Sequence, residues 1–149
     1  MKHEQKANAF TIPVRIYYED TDAGGVVYYA NYLKFLERCR SEWLRAIGHE
    51  QGEMLRDPGI AFVVRSVNVD YLKPARLDDL LTVSLEVERA TKSQIFFRQH
   101  VRRGNPATSD GWEELISARV QVVCVSLNAG QMKISTIPAV LRTQLEAIQ

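Results

Sequence analysis

Between Tyr17 and Tyr32 the chain reads Tyr-Tyr-Glu-Asp-Thr-Asp-Ala-Gly-Gly-Val-Val-Tyr-Tyr-Ala-Asn-Tyr, which places three carboxylates, Glu19, Asp20 and Asp22, within four residues. Like charges this close repel one another. A member that is also shielded from water has its pKa pushed up, towards values useful for moving protons. Gly24-Gly25 lets the backbone come close to a ligand. A helical pattern begins at Asn31, so unpaired N–H groups and a positive dipole end face back towards this loop. A carboxylate beside a helix N-terminus suits acyl transfer: the N–H groups stabilise a developing oxyanion while the carboxylate attacks or deprotonates water. The same residues also serve as plain caps, dipole complements and a Gly-Gly turn, and spacing alone leans towards that structural account.

The elements that must hold this loop follow from periodicity. Before it, Ile12, Val14 and Ile16 alternate with Pro13, Arg15 and Tyr17, the two-residue period of a half-buried strand. After it, Tyr32, Leu33, Phe35, Leu36, Cys39, Trp43, Leu44 and Ile47 recur at three- and four-residue steps, which predicts an amphipathic helix from Asn31 to a stop at Gly48. Beyond a connector over residues 49–59, four strands are expected at Ile60–Tyr71, Leu80–Arg89, Gln94–Arg102 and Glu114–Leu127, then a short helix from Pro138 to Ile148. Turn chemistry at Pro74 with Asp78-Asp79, at residues 90–93 and at residues 104–111 keeps the connections short and favours antiparallel pairing. One long helix among five strands buries most surface if the sheet curls around it, an α+β arrangement.

Bulk properties bound the function. A length of 149 residues fits one domain, with a polar leader over 1–10 and a single folded unit over 11–149. Hydrophobic residues at 46%, charged residues at 25% and a net charge of +1 provide no field for nucleic acid or membrane surfaces. The two cysteines, Cys39 and Cys124, lie far apart in apolar segments and read as buried free thiols. No apolar run is long enough to span a bilayer, and the first ten residues hold no signal-peptide core, so a cytoplasmic location is expected.

The stretch Tyr-Glu-Asp-Thr-Asp-Ala-Gly-Gly-Val-Val-Tyr followed by Ala-Asn-Tyr-Leu-Lys-Phe-Leu-Glu-Arg resembles the signature of the 4-hydroxybenzoyl-CoA thioesterase family, and within it the YbgC-type, Tol-Pal-associated branch. The likeness continues through Ala61-Phe62-Val63-Val64-Arg65, residues 74–80 and Val122-Val123-Cys124-Val125. It implies the hotdog fold, an antiparallel five-stranded sheet around one long central helix. It further implies hydrolysis of acyl-CoA to free acid and CoA, with a short-chain, medium-chain or aromatic acyl group. By position, Asp22 is the essential carboxylate and the backbone N–H of Tyr29 the oxyanion donor. Many members of the branch carry His where this chain has Tyr29. A backbone N–H does not depend on the side chain, so the oxyanion role carries over and any imidazole role does not.

The resemblance also implies that Thr91, Lys92 and Ser93 contact the CoA moiety, a lysine with hydroxyls being suited to phosphate. Exposed turn residues with no such role are the bland alternative. Arg65, in an otherwise apolar strand, should pair with a carboxylate or a ligand phosphate. Tyr28, Tyr29 and Tyr32 either line an acyl pocket or simply pack. His3, His49 and His100 lack neighbouring ligands, so no metal is expected, and no cofactor beyond the substrate's own CoA.

Two other functions compete. One is a non-catalytic hotdog module that binds acyl-CoA or acyl carrier protein. The other is a hotdog hydratase or dehydratase, against which stands the lack of a histidine near Asp22. Exposed edge strands and the family's habit together imply a homodimer, paired again into a tetramer, with the pocket at the dimer interface.

Overall fold

The computed structural model describes residues 9–104 and 112–148. Strand β1 (Phe10–Arg15) leads through a 3₁₀ turn at Tyr18–Asp20 to helix α1 (Asn31–Ala46), a short helix α2 (Gln51–Arg56), and strands β2 (Ile60–Tyr71), β3 (Leu80–Ala90), β4 (Gln94–Arg103) and β5 (Glu113–Ser126). A two-residue strand β6 (Lys133–Ile134) and helix α3 (Ala139–Ile148) follow. The sheet runs β1-β3-β4-β5-β2, antiparallel throughout, with β6 added alongside the end of β5.

This is the α+β arrangement expected from the sequence, with three differences. The connector after α1 contains α2, whose Met54 is buried, and too few residues surround it for helical periodicity to be visible. Strand β6 makes the sheet six-stranded, but two residues carry no alternation to read. Strand β1 opens at Phe10, inside the leader read from sequence, whose first eight residues lie outside the described ones, as does most of the 104–111 turn.

Helix α1 lies on the concave face because its apolar stripe has nowhere else to go. Tyr32, Phe35, Leu36, Cys39, Trp43 and Leu44 are its buried residues, and they meet the inward residues Val83, Leu85, Ile95, Phe97 and Val101 in one core. Each such side chain contributes about 1.5–3 kcal/mol by leaving water. Two polar tethers fix the seating. The Cys39 thiol donates to Val83 C=O at 3.5 Å, and the fully buried Gln99 amide donates to Leu36 C=O at 3.1 Å while accepting from Arg40 at 3.0 Å. The helix ends in a Schellman pair, His49 N–H to Leu44 C=O at 2.8 Å and Gly48 N–H to Arg45 C=O at 3.0 Å, which Gly48 closes at φ +100°.

Cover is uneven across the sheet. Along β5, Ile116, Ala118, Val120 and Val122 are buried, whereas their register partners on edge strand β2 include Tyr71, Val67 and Val64, at 48%, 40% and 48% exposure. The inner face of β2 is thus an apolar strip beyond the reach of α1 in a single chain.

Candidate active site

The segment from Thr21 to Tyr28 folds as a tight reversal. Asp22 N–H donates to Val26 C=O and Gly25 N–H to Asp22 C=O, each at 3.0 Å, and Thr21 bridges Val27. Gly25 takes φ +80°, a conformation that a side chain resists. Gly24 N–H donates to Asp22 Oδ1 at 2.9 Å, aiming the carboxylate, which is solvent-exposed in the single chain. The sequence reading allowed for a member of the carboxylate trio shielded from water; the chain by itself does not bury Asp22. The reversal is seated on the stretch before β3, through Val27 N–H to Ala75 C=O at 2.9 Å and a bridge between Val26 and Arg76.

The other carboxylates have separate tasks. Asp20 Oδ2 accepts from Tyr17 N–H at 2.8 Å and closes the 3₁₀ turn, while Glu19 is exposed. Neither carboxylate is needed to hold Asp22.

The entry to α1 leaves donors unused. Ala30 is the N-cap and supplies no side-chain bond. Tyr28 C=O accepts from Asn31 N–H at 2.9 Å, while among the described residues nothing accepts from the N–H of Tyr29 or of Ala30. These two groups face the requirement common to all backbone donors, a partner from solvent or ligand. An unengaged N–H pair at a helix start, beside a carboxylate on a rigid turn, has the parts for stabilising an oxyanion next to a nucleophile or base.

Four tyrosines surround this entry. The Tyr28 ring lies 4.9 Å from Tyr29, Tyr29 lies 6.0 Å from Tyr71, and Tyr71 lies 5.9 Å from Tyr32. Tyr32 is structural: its ring is buried and its hydroxyl accepts from Ala75 N–H at 2.9 Å, and burial holds its phenol above the ordinary value. Tyr28 and Tyr29 are exposed in the single chain. Tyr71 was not anticipated; its hydroxyl donates to Tyr29 C=O at 3.4 Å from the end of β2. Nor was Arg103, which reaches Asp79 at 3.0 Å and Pro74 C=O at 2.6 Å and so braces the stretch on which the reversal rests. Both act across more than twenty residues, and no local pattern announces such a contact.

Thr91, Lys92 and Ser93 form the β3–β4 turn, where Thr91 Oγ1 accepts from Gln94 N–H at 3.0 Å. Thr91 and Lys92 line a 250 Å³ cleft with Arg142, Leu145 and Glu146 of α3. This turn is not brought to Asp22. The start of α1 is tied to Ala75, its end to α3 through Gln144 and Ile47 C=O, and the segment leading into α3 to the turn through Ile137 N–H and Lys92 C=O. By these contacts the turn lies towards the far end of α1, whose 16 residues span about 24 Å.

Arg65 departs from expectation. It sits at the register shift of β2 between Val64 and Ser66 and is exposed, as are its neighbours over 64–68, so it is not a charge in a covered row; no carboxylate lies within ion-pair distance among the described residues. His49 is bonded to Gln144 beyond the far end of α1, and His100 to Glu114 on β5, so neither attends Asp22. Among the described residues no cluster of three or more His, Cys, Asp or Glu is set to hold a metal, and no helix is long and apolar enough to cross a membrane.

A curled antiparallel sheet around one long helix, with a carboxylate turn at the helix entry, defines a hotdog-fold protein. The family model described as the Thioesterase superfamily matches residues 24–109. The acyl-CoA thioesterase YbgC of Haemophilus influenzae is 45% identical over 88% of this chain and 90% of its own length. The acyl-CoA thioester hydrolase YbgC of Escherichia coli is 44% identical over 78% of this chain and 81% of its own. The crystal structure of 4-hydroxybenzoyl CoA thioesterase from Pseudomonas sp. strain CBS-3 superposes with a TM-score of 0.81 at 21% identity, covering 91% of this chain and 97% of that one, a likeness of fold. The chain belongs to the thioesterase superfamily.

Proposed function

We infer that this protein is a hydrolase that cleaves the thioester bond of acyl-CoA, releasing the free acid and CoA. The observation that carries the reading is the pairing of Asp22, aimed by Gly24 N–H, with the unengaged N–H of Tyr29 at the entry to α1. In this mechanism the thioester carbonyl oxygen accepts from Tyr29 N–H, which steadies the negative charge as the carbonyl carbon becomes tetrahedral. The Asp22 carboxylate either attacks that carbon, giving a mixed anhydride that water then opens, or removes a proton from the attacking water. CoA leaves as thiolate, an adequate leaving group without a metal, and no cofactor is assigned. Tyr29 supplies its backbone, so the absence of an imidazole there bears on which acyl group is preferred and not on the oxyanion contact.

The exposed strip of Tyr71, Val67 and Val64 on edge strand β2 supports a homodimer, with a tetramer built from two such pairs, and the acyl pocket at the interface. The placement of Thr91, Lys92 and Ser93 towards the far end of α1 supports a CoA chain that runs along the molecule or reaches to a neighbouring subunit before its phosphates meet them. The protein is read as one folded domain over residues 11–149, cytoplasmic, acting on CoA thioesters or on the same thioester presented by acyl carrier protein, and placed in the Tol-Pal-associated branch.

The decisive assay is thiol release from short, medium, long and aromatic acyl-CoAs, with Asp22→Ala and Asp22→Asn variants verified as folded and of parental oligomeric state. Turnover that vanishes with the carboxylate supports the reading. Acyl-CoA binding without turnover in the unmodified protein would leave a binding module instead.

A further inference from the structure

The turn that carries Asp22 and the helix start that carries the Tyr29 N–H are joined by a side chain as well as by backbone bonds. Asn31, the first residue of α1, donates from Nδ2 to Asp20 C=O at 2.9 Å, across eleven residues. Its own backbone N–H donates to Tyr28 C=O at 2.9 Å. Asp20 C=O also accepts from Tyr28 N–H, at 3.3 Å, so the three residues close a small ring of bonds.

Each contact fixes one half of the site. The Tyr28 carbonyl and the Tyr29 N–H belong to the same planar peptide, so holding the carbonyl on one side fixes the direction of the N–H on the other. The Asp20 carbonyl belongs to the peptide entering Thr21, the residue before Asp22, so gripping it anchors the base of the reversal. Ordinary capping does not account for this geometry. A cap supplies an acceptor to the helix's own N–H groups, whereas Asn31 presents its amide donor, and presents it to a carbonyl outside the helix.

We propose that Asn31 is a positioning residue whose side-chain amide sets the place of the Asp22 turn relative to the helix start that carries the Tyr29 N–H. The inference rests on the roles given to those two groups above. An aspartate in its place has the same shape but sets an oxygen against the Asp20 carbonyl, so the grip becomes repulsion. Displacements near 1 Å between reacting groups cost on the order of 10²-fold in rate.

Asn31→Asp and Asn31→Ala are to be compared with the parent and with Asp22→Asn for kcat and KM on the best acyl-CoA, for thermal midpoint, and for amide hydrogen exchange over residues 20–28. The expected result is a fall in kcat of about 10- to 100-fold with KM within about threefold and the midpoint nearly unchanged, together with faster exchange in that segment. The aspartate variant is expected to be at least as slow as the alanine variant; should it not fold, the alanine variant answers alone. Parental kcat in either folded variant overturns the proposal, and so does a loss of kcat that merely tracks a fallen midpoint. An active Asp22→Asn protein would remove the underlying reading instead, whereas an inactive one beside full-rate Asn31 variants isolates the failure to Asn31.

Discussion

The two ends of α1 are built on opposite terms. At its C-terminal end the backbone is tied down: the Schellman pair closes on Gly48, Gln144 donates to Ile47 C=O at 2.8 Å, and Trp43 stands edge-on to Phe97 at 5.4 Å. At its N-terminal end the cap is a plain alanine, two N–H groups have no acceptor among the described residues, and a carboxylate faces solvent. The first end holds the fold together; the second keeps polar groups available at a cost in stability that the rest of the helix offsets. Such division is usual where a rigid element presents reactive groups from its margin.

The largest expected effect tests the open end. Asp22→Asn keeps shape and the bond from Gly24 N–H but removes the negative charge, and kcat is expected to fall by on the order of 10³-fold with the unfolding midpoint unchanged. Residual turnover near the parental rate would remove the carboxylate from the chemistry and leave the two ends differing in exposure alone.

Next comes the closed end. Trp43→Ala deletes a side chain only 5% exposed and should lower unfolding free energy by about 3–5 kcal/mol in a denaturant titration, with kcat of the remaining folded protein close to parental. A large loss of kcat at full folding would mean that the two ends are mechanically coupled through the helix.

How far these contrasts were legible in the sequence follows from the range of each signal. The three- and four-residue rhythm from Tyr32 to Leu44 and the alternation along Leu81 to Val87 are local, and both elements stand where the rhythm put them. The position of Asp22 on a turn before the helix was equally local. The contacts that brace its surroundings were not: Tyr71, Arg103 and the seat on Ala75 come from segments distant in sequence, and only the register of the sheet brings them near. Arg65 was read as a charge in a covered strand because its apolar neighbours carry no sign of how far the helix reaches, whereas residues 64–68 of β2 are all exposed in the single chain. The separation of Thr91–Ser93 from Asp22 likewise depends on the direction in which α1 is laid, which periodicity does not encode.

A matched pair of glycines sharpens the comparison at smaller magnitude. Gly25 and Gly48 take φ +80° and +100°, and a Cβ at either would meet nothing within 4 Å. Alanine at each site therefore introduces the same backbone strain and little else, about 1 kcal/mol of lost stability in either variant. Turnover should separate them: Gly25→Ala reshapes the reversal that holds Asp22 and is expected to lower kcat roughly tenfold, while Gly48→Ala leaves kcat unchanged. Equal kinetics in the two variants would show that the reversal tolerates displacement.

The smallest effect concerns the other nucleophile type in the chain. Cys39 lies mid-helix, fully buried, and burial pushes its thiol up to about 12; Cys124 is pushed up to about 11 by the same cause. A thiol acts as nucleophile only when ionised, and at pH 8 a group titrating near 12 is ionised to roughly one part in 10⁴. Acyl transfer through cysteine is thereby set against acyl transfer through Asp22, which is exposed. Both thiols should resist an aromatic disulfide reagent at pH 8 in the native protein and react fully once guanidinium unfolds it, with the kcat of reagent-treated native protein unchanged. Rapid native labelling at Cys39 with loss of turnover would instead place a reactive sulfur in the core beneath α1 and break the contrast between its closed body and its open end.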